Sequence, residues 1–280
     1  MSVLIKNLSV SFPGANPSDK ELILDNVSLK FEDGEFVCLL GPSGCGKSTL
    51  LGLIAGFVKA SHGEILVKDK KVTRPDLNRT LVFQEYALFP WLNVIDNVCF
   101  GLEKQIKDKQ ERYMLAARYL KMVGLIDSAR LNVSQLSGGM KQRVAIARAL
   151  VVKPDLLLMD EPFAALDSQT RELMRSELVR IWTEVNEEST DLSGNASKQG
   201  VVFVTHSVDE ALILADRIIV MGAKDSRKTA KIPKGEVIAD IRINQARPRS
   251  LHDKDLEIYR EEILKILSSS SPAKTIDVGL

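Results

Sequence analysis

Hydrophobic positions near the start of the chain fall into a strand pattern. Apolar residues alternate or cluster over residues 3–10 and 22–31, on either side of a loop rich in Pro, Gly, Asn and Ser. This pattern predicts two strands of a small antiparallel sheet. Residues 35–40 then form a short apolar run that leads through a glycine-rich loop into a helical stretch at residues 48–55. The order strand, tight loop, helix is typical of α/β proteins.

Two later apolar runs extend this picture. Residues 155–159 and 201–204 have the length and composition of parallel strands buried on both faces, and a helical stretch follows each. Between about residues 86 and 150 helical periodicity replaces the strand pattern, most clearly at 113–123 and 142–150. The chain is therefore predicted to be an α/β protein that has an antiparallel β subdomain and an inserted α-helical subdomain at about 86–150.

The remaining segments predict the domain organisation. Residues 186–200 are polar and small, which indicates a surface loop. Residues 236–241 suit a strand, and an amphipathic helix follows, with Leu256, Tyr259, Ile263 and Ile266 on its apolar face. We predict one main domain over residues 1–240 and a C-terminal helical extension over 241–280, of which the last dozen residues are frayed.

Composition narrows the functional classes. With 38 basic and 37 acidic residues, the net charge of +1 gives no long-range field for nucleic acid. No apolar run approaches the roughly 18 residues of a membrane-spanning helix, and the first ten residues lack the layout of a signal peptide. The three cysteines, Cys38, Cys45 and Cys99, suggest neither a disulfide framework nor a zinc site. A cytoplasmic protein is expected.

The glycine-rich loop carries the first chemical motif. It fits the pattern G-x-x-x-x-G-K-[ST], in which glycines let backbone N–H groups turn inward around phosphate oxygens. Lys47 then reaches the β- and γ-phosphates, while Ser48 supplies a hydroxyl to Mg²⁺. A Mg²⁺ and ATP site is therefore predicted from residues Gly41, Pro42, Ser43, Gly44, Cys45, Gly46, Lys47, Ser48 and Thr49.

Two adjacent carboxylates follow the strand predicted at residues 155–159. Asp160 and Glu161 come at the carboxyl end of that strand, where α/β sheets bind their ligands. We expect Asp160 to hold the magnesium shell and Glu161 to polarise the attacking water as a general base.

A second glycine-containing turn precedes the helical run at residues 142–150. Its sequence LSGGMKQR contains Ser137, Gly138 and Gly139 at a helix N-terminus, which is a ready-made anion site. One chain thus carries two phosphate-binding devices, but only the first has the lysine and the magnesium ligands. This asymmetry suggests that the second device serves the nucleotide of a neighbouring copy, in a homodimer with two composite sites.

Taken together, these motifs, with Thr205 and His206 after a strand, resemble the ATP-binding cassette (ABC) family over residues 3 to about 240. The resemblance implies a P-loop NTPase core of the ABC ATPase type that hydrolyses ATP. It also implies that Gln84 senses magnesium and the γ-phosphate, that His206 contacts the γ-phosphate and that Phe12 stacks on adenine. Residues 164–167 match the loop that crosses between subunits.

The segment after Gln84 indicates what the ATPase drives. Residues 84–94 are unusually apolar and aromatic, and Tyr86, Leu88, Phe89 and Trp91 around a proline suit an exposed docking socket. The run 84–101 resembles ATP-binding subunits of bacterial importers of the nitrate, sulfonate and taurine type. That resemblance implies integral membrane permease subunits as partners, indirectly a solute-binding protein, and a peripheral position on the cytoplasmic side of the inner membrane.

Three other kinds of P-loop protein are alternatives to an importer subunit. A soluble cassette ATPase of DNA repair or translation usually has two cassettes or long coiled-coil or basic insertions, and neither is found in the sequence. A metabolite kinase has no use for the turn at Ser137. A degenerate cassette that serves only as a scaffold does not need Lys47, Asp160, Glu161 and His206 intact.

Overall fold

The computed structural model of the chain describes residues 2–13, 20–164, 166–188, 198–224, 234–268 and 274–276. These residues form two compact units. Unit 1 comprises Met1–Pro75 and Gly200–Leu280, and unit 2 comprises Asp76–Gln199. None of the helices in the described part of the chain combines the length and the apolar character that crossing a bilayer requires.

The strands are β1 (Val3–Pro13), β2 (Lys20–Phe31), β3 (Phe36–Leu40), β4 (His62–Val67), β5 (Lys70–Lys71), β6 (Arg79–Val82), β7 (Leu156–Asp160), β8 (Gly200–Thr205), β9 (Arg217–Lys224), β10 (Lys234–Arg242) and β11 (Lys274–Ile276). The α-helices are α1 (Lys47–Ala55), α2 (Val94–Cys99), α3 (Lys109–Met122), α4 (Gly138–Leu150), α5 (Ser168–Glu188), α6 (Val208–Leu214) and α7 (Lys254–Ser268). Short 3₁₀ turns lie at Phe100–Leu102, Ile126–Ser128 and Val133–Gln135.

Unit 1 is built on a mixed sheet. Its strand order is β5-β4-β1-β2-β10-β9-β3-β8, with β11 beside β10. β1 pairs antiparallel with β2 and β4, as the pattern at residues 3–10 and 22–31 predicts. β3 lies between β8 and β9 and is parallel to both. Every residue of β3 and β8 is buried, which explains their unbroken apolar sequences.

Unit 2 combines one parallel strand pair with helices. β6 and β7 are parallel, in a register that pairs Val82 with Met159. The fully described stretch between them contains α2, α3 and α4, which pack against one another and include the predicted helical pieces. Helix α4 begins at Gly138, in the glycine turn where the sequence predicts a helix N-terminus, and the Ser137 hydroxyl caps it by accepting a hydrogen bond from the backbone N–H of Met140 (3.3 Å).

Two segments differ from the sequence-based expectation. Helix α5 continues to Glu188, into the predicted loop at 186–200, of which residues 189–197 lie outside the described part. The side chain of Asn186 accepts a hydrogen bond from the Gln199 N–H at 2.7 Å, which ties this end of α5 to the chain that leads into β8. Within the C-terminal dozen predicted to be frayed, Lys274–Ile276 forms β11 beside β10, and the others lie outside the described residues.

The amphipathic C-terminal helix forms as its spacing predicts. In α7, Leu256, Tyr259 and Ile263 are buried, and Ile266 is half-buried. Burial of this stripe is what fixes the helix to unit 1, since helical periodicity alone stabilises an isolated segment of this length poorly.

Candidate active site

The glycine-rich loop in unit 1 is tightly built. Lys47 is 4% exposed, and its ammonium group donates to the carbonyl oxygens of Gly41 and Pro42, both at 2.8 Å. Gly46 has a φ of 88°, and a Cβ there would lie 2.5 Å from Leu24 Cδ2. Only glycine fits such a position. The ammonium group also donates to Cys45 Sγ at 3.8 Å, so the loop holds its cation with its own polar atoms.

His206 lies at the same edge of the unit 1 sheet as this loop. β3 and β8 are parallel neighbours in a register that pairs Leu40 with Thr205, and Gly41 and His206 are the next residues of the two strands. His206 is exposed. The sequence therefore brings the start of the phosphate loop and the predicted switch histidine together, as expected for ligand groups at the carboxyl ends of parallel strands.

A buried network braces the turn that carries His206. The Thr205 hydroxyl donates to the Glu210 carboxylate at 2.6 Å and accepts from the backbone N–H of Ser207 at 3.0 Å. Ser207 caps α6 by accepting from the Glu210 N–H. Thr205 and Glu210 are 2% and 6% exposed, so water competes little for the hydrogen bond between them. Sequence motifs do not identify Glu210, because its role depends on its hydrogen bond with Thr205.

Unit 2 brings together the predicted glutamine and carboxylates. Val82 pairs with Met159, so Gln84 and Glu161 each come two residues after a paired position at the carboxyl end of parallel strands. Asp160 is the last residue of β7. Glu161 has a φ of 42°, a left-handed conformation that costs a non-glycine residue on the order of 1 kcal/mol or more. Strain of this kind is concentrated at functional sites.

The second glycine turn opens helix α4 in unit 2. Ser137 is the N-cap, and Gly138 and Gly139 form the first turn, with backbone N–H groups at the positive end of a 13-residue helix. Ser137 and Gly138 are exposed. A Cβ on Gly139 would lie 3.0 Å from Thr170 Cγ2, which is a tight contact.

Two further predicted positions are available for contacts. Phe12 lies near the end of β1 and is 40% exposed, so its ring can contact a ligand, and its stacking on adenine stays a prediction. In the predicted intersubunit loop at 164–167, residue 165 lies outside the described part, and the Asp167 carboxylate accepts a hydrogen bond from the Thr170 N–H at 2.9 Å.

Unit 2 also exposes an aromatic surface. We call residues 86–93 the aromatic loop, and Phe89, Trp91 and Phe100 the docking surface. The Phe89 ring lies 5.5 Å from Trp91 and 4.3 Å from Phe100, measured between ring centroids. Trp91 is 75% exposed and Phe100 48% exposed. Phe89 and Trp91 belong to the aromatic segment predicted from the sequence, whereas Phe100 reaches this surface from the turn after α2.

Two buried or half-buried polar side chains hold the aromatic loop. Asn97 is fully buried; its amide oxygen accepts from the Phe89 N–H at 2.8 Å, and its amide nitrogen donates to the carbonyls of Phe89, Leu92 and Asn93 at 3.0 to 3.2 Å. Arg148 of α4 contacts the loop as well. Sequence patterns did not identify either residue: Asn97 belongs to no recognisable motif, and the contacts of Arg148 join positions more than sixty residues apart.

Comparison with known proteins places the chain in a family. The family model described as ABC transporter matches residues 24–164. An ABC transporter ATP-binding protein of Methanocaldococcus jannaschii is 44% identical over 87% of this chain and 84% of its own. The chain belongs to the ABC transporter ATP-binding family. The family and the fold expected from the motifs are thereby confirmed.

Two relatives whose names state a transported substrate are about as similar to this chain in sequence as the M. jannaschii protein is. The bicarbonate transport ATP-binding protein CmpD of Synechococcus elongatus is 41% identical over 78% of this chain and 74% of its own. The taurine import ATP-binding protein TauB of Roseobacter denitrificans is 38% identical over 94% and 92%. This ABC protein is the ATP-binding subunit of an importer, and it hydrolyses ATP for transport.

A solved structure supports the cassette fold. The ATP-binding cassette MJ0796, a dimer in a post-hydrolysis state bound to ADP and phosphate, has a TM-score of 0.66 and 33% identity, over 78% of this chain and 93% of that one. The P-loop NTPase fold with its antiparallel and helical parts is therefore confirmed in this ABC protein.

Proposed function

We propose that this ATPase subunit powers the import of a small solute bearing an oxyanion, such as a sulfonate, taurine, nitrate or bicarbonate. Support comes from the names of two relatives, one for bicarbonate and one for taurine, at nearly equal identity. Sulfonate and bicarbonate are both compact oxyanions. The transported solute touches the permease and not this chain, so the choice within the class depends on the partner.

The proposed chemistry begins with the metal ion. Mg²⁺ prefers hard oxygen donors, and the Ser48 hydroxyl, the Gln84 amide oxygen and the Asp160 carboxylate fit that preference. When bound, the ion neutralises the phosphate charge. We propose that phosphate oxygens and waters complete the set of ligands around the ion.

The remaining residues have separate tasks in this scheme. Lys47 binds the β- and γ-phosphates, Glu161 orients and polarises the attacking water, and His206 holds the γ-phosphate. Phe12 stacks on adenine. We propose a homodimer in which Ser137, Gly138 and Gly139 of one copy close over the nucleotide of the other, and the dimeric MJ0796 cassette supports this arrangement.

The observation that carries the transport assignment is the exposed aromatic docking surface. Trp91, the most exposed large hydrophobic side chain of the described residues, stacks on Phe89, whose loop Asn97 fixes from beneath. Aromatic anchors on a rigid support are typical of protein interfaces. We propose that a segment of an integral membrane permease docks here, which makes this ABC protein a peripheral protein on the cytoplasmic face of the membrane.

Pull-down from native membranes tests this proposal. The Glu161→Gln variant, which should bind ATP with little turnover, is used as bait in detergent extract with MgATP, and the recovered proteins are identified by mass spectrometry. An integral permease should be recovered, and its binding protein then identifies the solute. Recovery of soluble partners, ribosomes or DNA alone contradicts the transport assignment.

Two further baits localise the interface. Trp91→Ala in the Glu161→Gln background should lose the permease. Met114→Ala, which removes another side chain of unit 2 that is 65% exposed, is the matched control and should retain it. Equal recovery with both baits would remove the docking surface from the proposal.

A further inference from the structure

The turn that leads into the aromatic loop has an unusual backbone. Tyr86 and Ala87 are consecutive non-glycine residues with φ of 49° and 46°. Left-handed backbone costs about 1 to 2 kcal/mol per such residue, so two in succession persist only where surrounding contacts hold them.

Arg148 supplies those contacts. Its guanidinium group donates to the Ala87 carbonyl at 2.7 Å and to the Tyr86 carbonyl at 3.0 Å. The same group lies over the Phe89 ring, with Cζ 5.3 Å from the centroid. The guanidinium thus contacts two carbonyl groups and one aromatic ring of the loop. A planar guanidinium can make all three contacts at once, whereas a lysine ammonium cannot.

The Arg148 guanidinium is partly buried and forms no salt bridge within the described residues. Burial lowers the pKa of Arg148, and within the described residues no carboxylate forms a salt bridge with it. Burial removes part of the hydration of this cation, and no carboxylate among the described residues compensates for the loss. The two carbonyls and the Phe89 ring therefore supply its stabilising contacts. The geometry is therefore specific to the loop.

The opposite end of α4 contacts the same turn. A Cβ on Gly138 would lie 3.1 Å from the Tyr86 hydroxyl, so the tyrosine ring reaches the first residue of the helix while its carbonyl is held by Arg148. The ten helical steps from residue 138 to residue 148 span about 15 Å. Tyr86 is thus fixed at two points by one rigid element, whose N-terminal turn is the second glycine motif.

We propose that Arg148 is a positioning residue that holds the aromatic loop and transmits the position of α4 to the docking surface. The role of the docking surface itself rests on the proposed function. The contact made by Arg148 does not, and a change at the N-terminal turn of α4 reaches Trp91 through Tyr86, Arg148 and Phe89.

Trp91 fluorescence tests the contact without any partner. The chain has two tryptophans, Trp91 and Trp182, so Trp182→Phe leaves Trp91 as the only reporter. In that background Arg148→Lys keeps the charge but loses the planar fork, whereas Arg130→Lys alters an exposed arginine of unit 2 and is the matched control. We expect Arg148→Lys to lower the anisotropy of Trp91 emission, and Arg130→Lys to leave it unchanged.

The link to α4 has its own readout. With Glu161→Gln added to each protein, MgATP should change Trp91 emission in the parent and in the control. Arg148→Lys should lose most of this change, because the guanidinium contacts that join α4 to the loop are gone, while the Kd for ATP stays within about twofold. Retained Kd values separate this result from misfolding.

The outcomes are distinguishable from those of the docking test. Unchanged anisotropy in Arg148→Lys shows that the loop does not depend on Arg148 and overturns the proposal. A full MgATP response in Arg148→Lys overturns the link to α4. If Trp91→Ala retains the permease while both fluorescence results hold, the docking assignment fails and the positioning role of Arg148 stands.

Discussion

The phosphate loop and the aromatic loop are both short connections that follow a β-strand, but they are held in different ways. In the phosphate loop, Lys47 bonds to carbonyls five and six residues away in its own motif. The aromatic loop is held by Arg148, more than sixty residues away, and by Asn97 of α2. The phosphate loop is held by contacts within its own motif, and the aromatic loop is held by side chains of helices α2 and α4.

The difference matches what each loop has to do. A phosphate site needs backbone N–H groups in one fixed arrangement, which glycine and a short motif can encode locally. The docking role proposed for the aromatic surface would require it to move with a larger element, and the long-range contacts of Arg148 with the loop would provide for that. The same long-range contacts make the aromatic loop sensitive to single substitutions far from it.

Loss of the phosphate-loop cation should have the largest effect. Lys47→Ala removes the ammonium group that meets the phosphates, so we expect ATP hydrolysis to fall by about 100-fold or more. The turnover rate of the purified protein at saturating MgATP measures it. Lys59→Ala, which changes an exposed lysine just beyond α1, should keep full turnover. Comparable loss in both variants would contradict the role of Lys47.

Loss of the main support of the aromatic loop should come next. Asn97→Leu leaves the N–H of Phe89 and the carbonyl of Leu92 without their Asn97 partner, which should lower the free energy of unfolding by about 2 to 4 kcal/mol. Urea denaturation measures the change. Gln110→Leu, an amide-to-leucine change at an exposed site of α3, should cost little. Equal costs would show that Asn97 is not a special support.

The contrast between the loops also explains what the sequence could predict. The parallel strands, the phosphate loop, the carboxylates after β7 and the helix start at the second glycine turn follow from local composition and spacing. The contacts of Asn97 and Glu210 are short in sequence but belong to no recognisable motif. Those of Arg148 join positions more than sixty residues apart, whose proximity exists only after folding. Phe100 was missed for the same reason, and the α5 end was misplaced because polar residues continued the helix.

The brace of the histidine turn should give a moderate effect. Thr205→Val keeps the shape but removes the hydroxyl between Glu210 and the Ser207 N–H, which should cost about 1 to 2 kcal/mol of unfolding free energy. We expect kcat to fall more than ATP affinity, because His206 loses its orientation. Thr205→Ser restores the hydroxyl and should recover kcat. Failure of serine to rescue would show that packing, not the hydrogen bond, matters here.

Native thiols provide the finest measure of the difference between the loops. Cys45 lies in the phosphate loop and Cys99 at the end of α2, close in sequence to Asn97, and both are buried. Burial raises the pKa of Cys45, and burial together with Asp96 raises the pKa of Cys99 to about 11. Because the thiolate is the reactive form, alkylation near pH 8 requires local opening, and its rate reports the free energy of that opening.

Site-resolved alkylation therefore compares the two loops in one experiment. Asn97→Leu should speed the modification of Cys99 several-fold and leave Cys45 unchanged, because the phosphate loop is held by its own carbonyls. MgATP should slow the modification of Cys45 and leave Cys99 nearly unaffected. Mass spectrometry of peptides from timed samples gives both rates. If Asn97→Leu accelerates both thiols equally, the two loops open together, and the distinction between a self-held and an externally held loop is wrong.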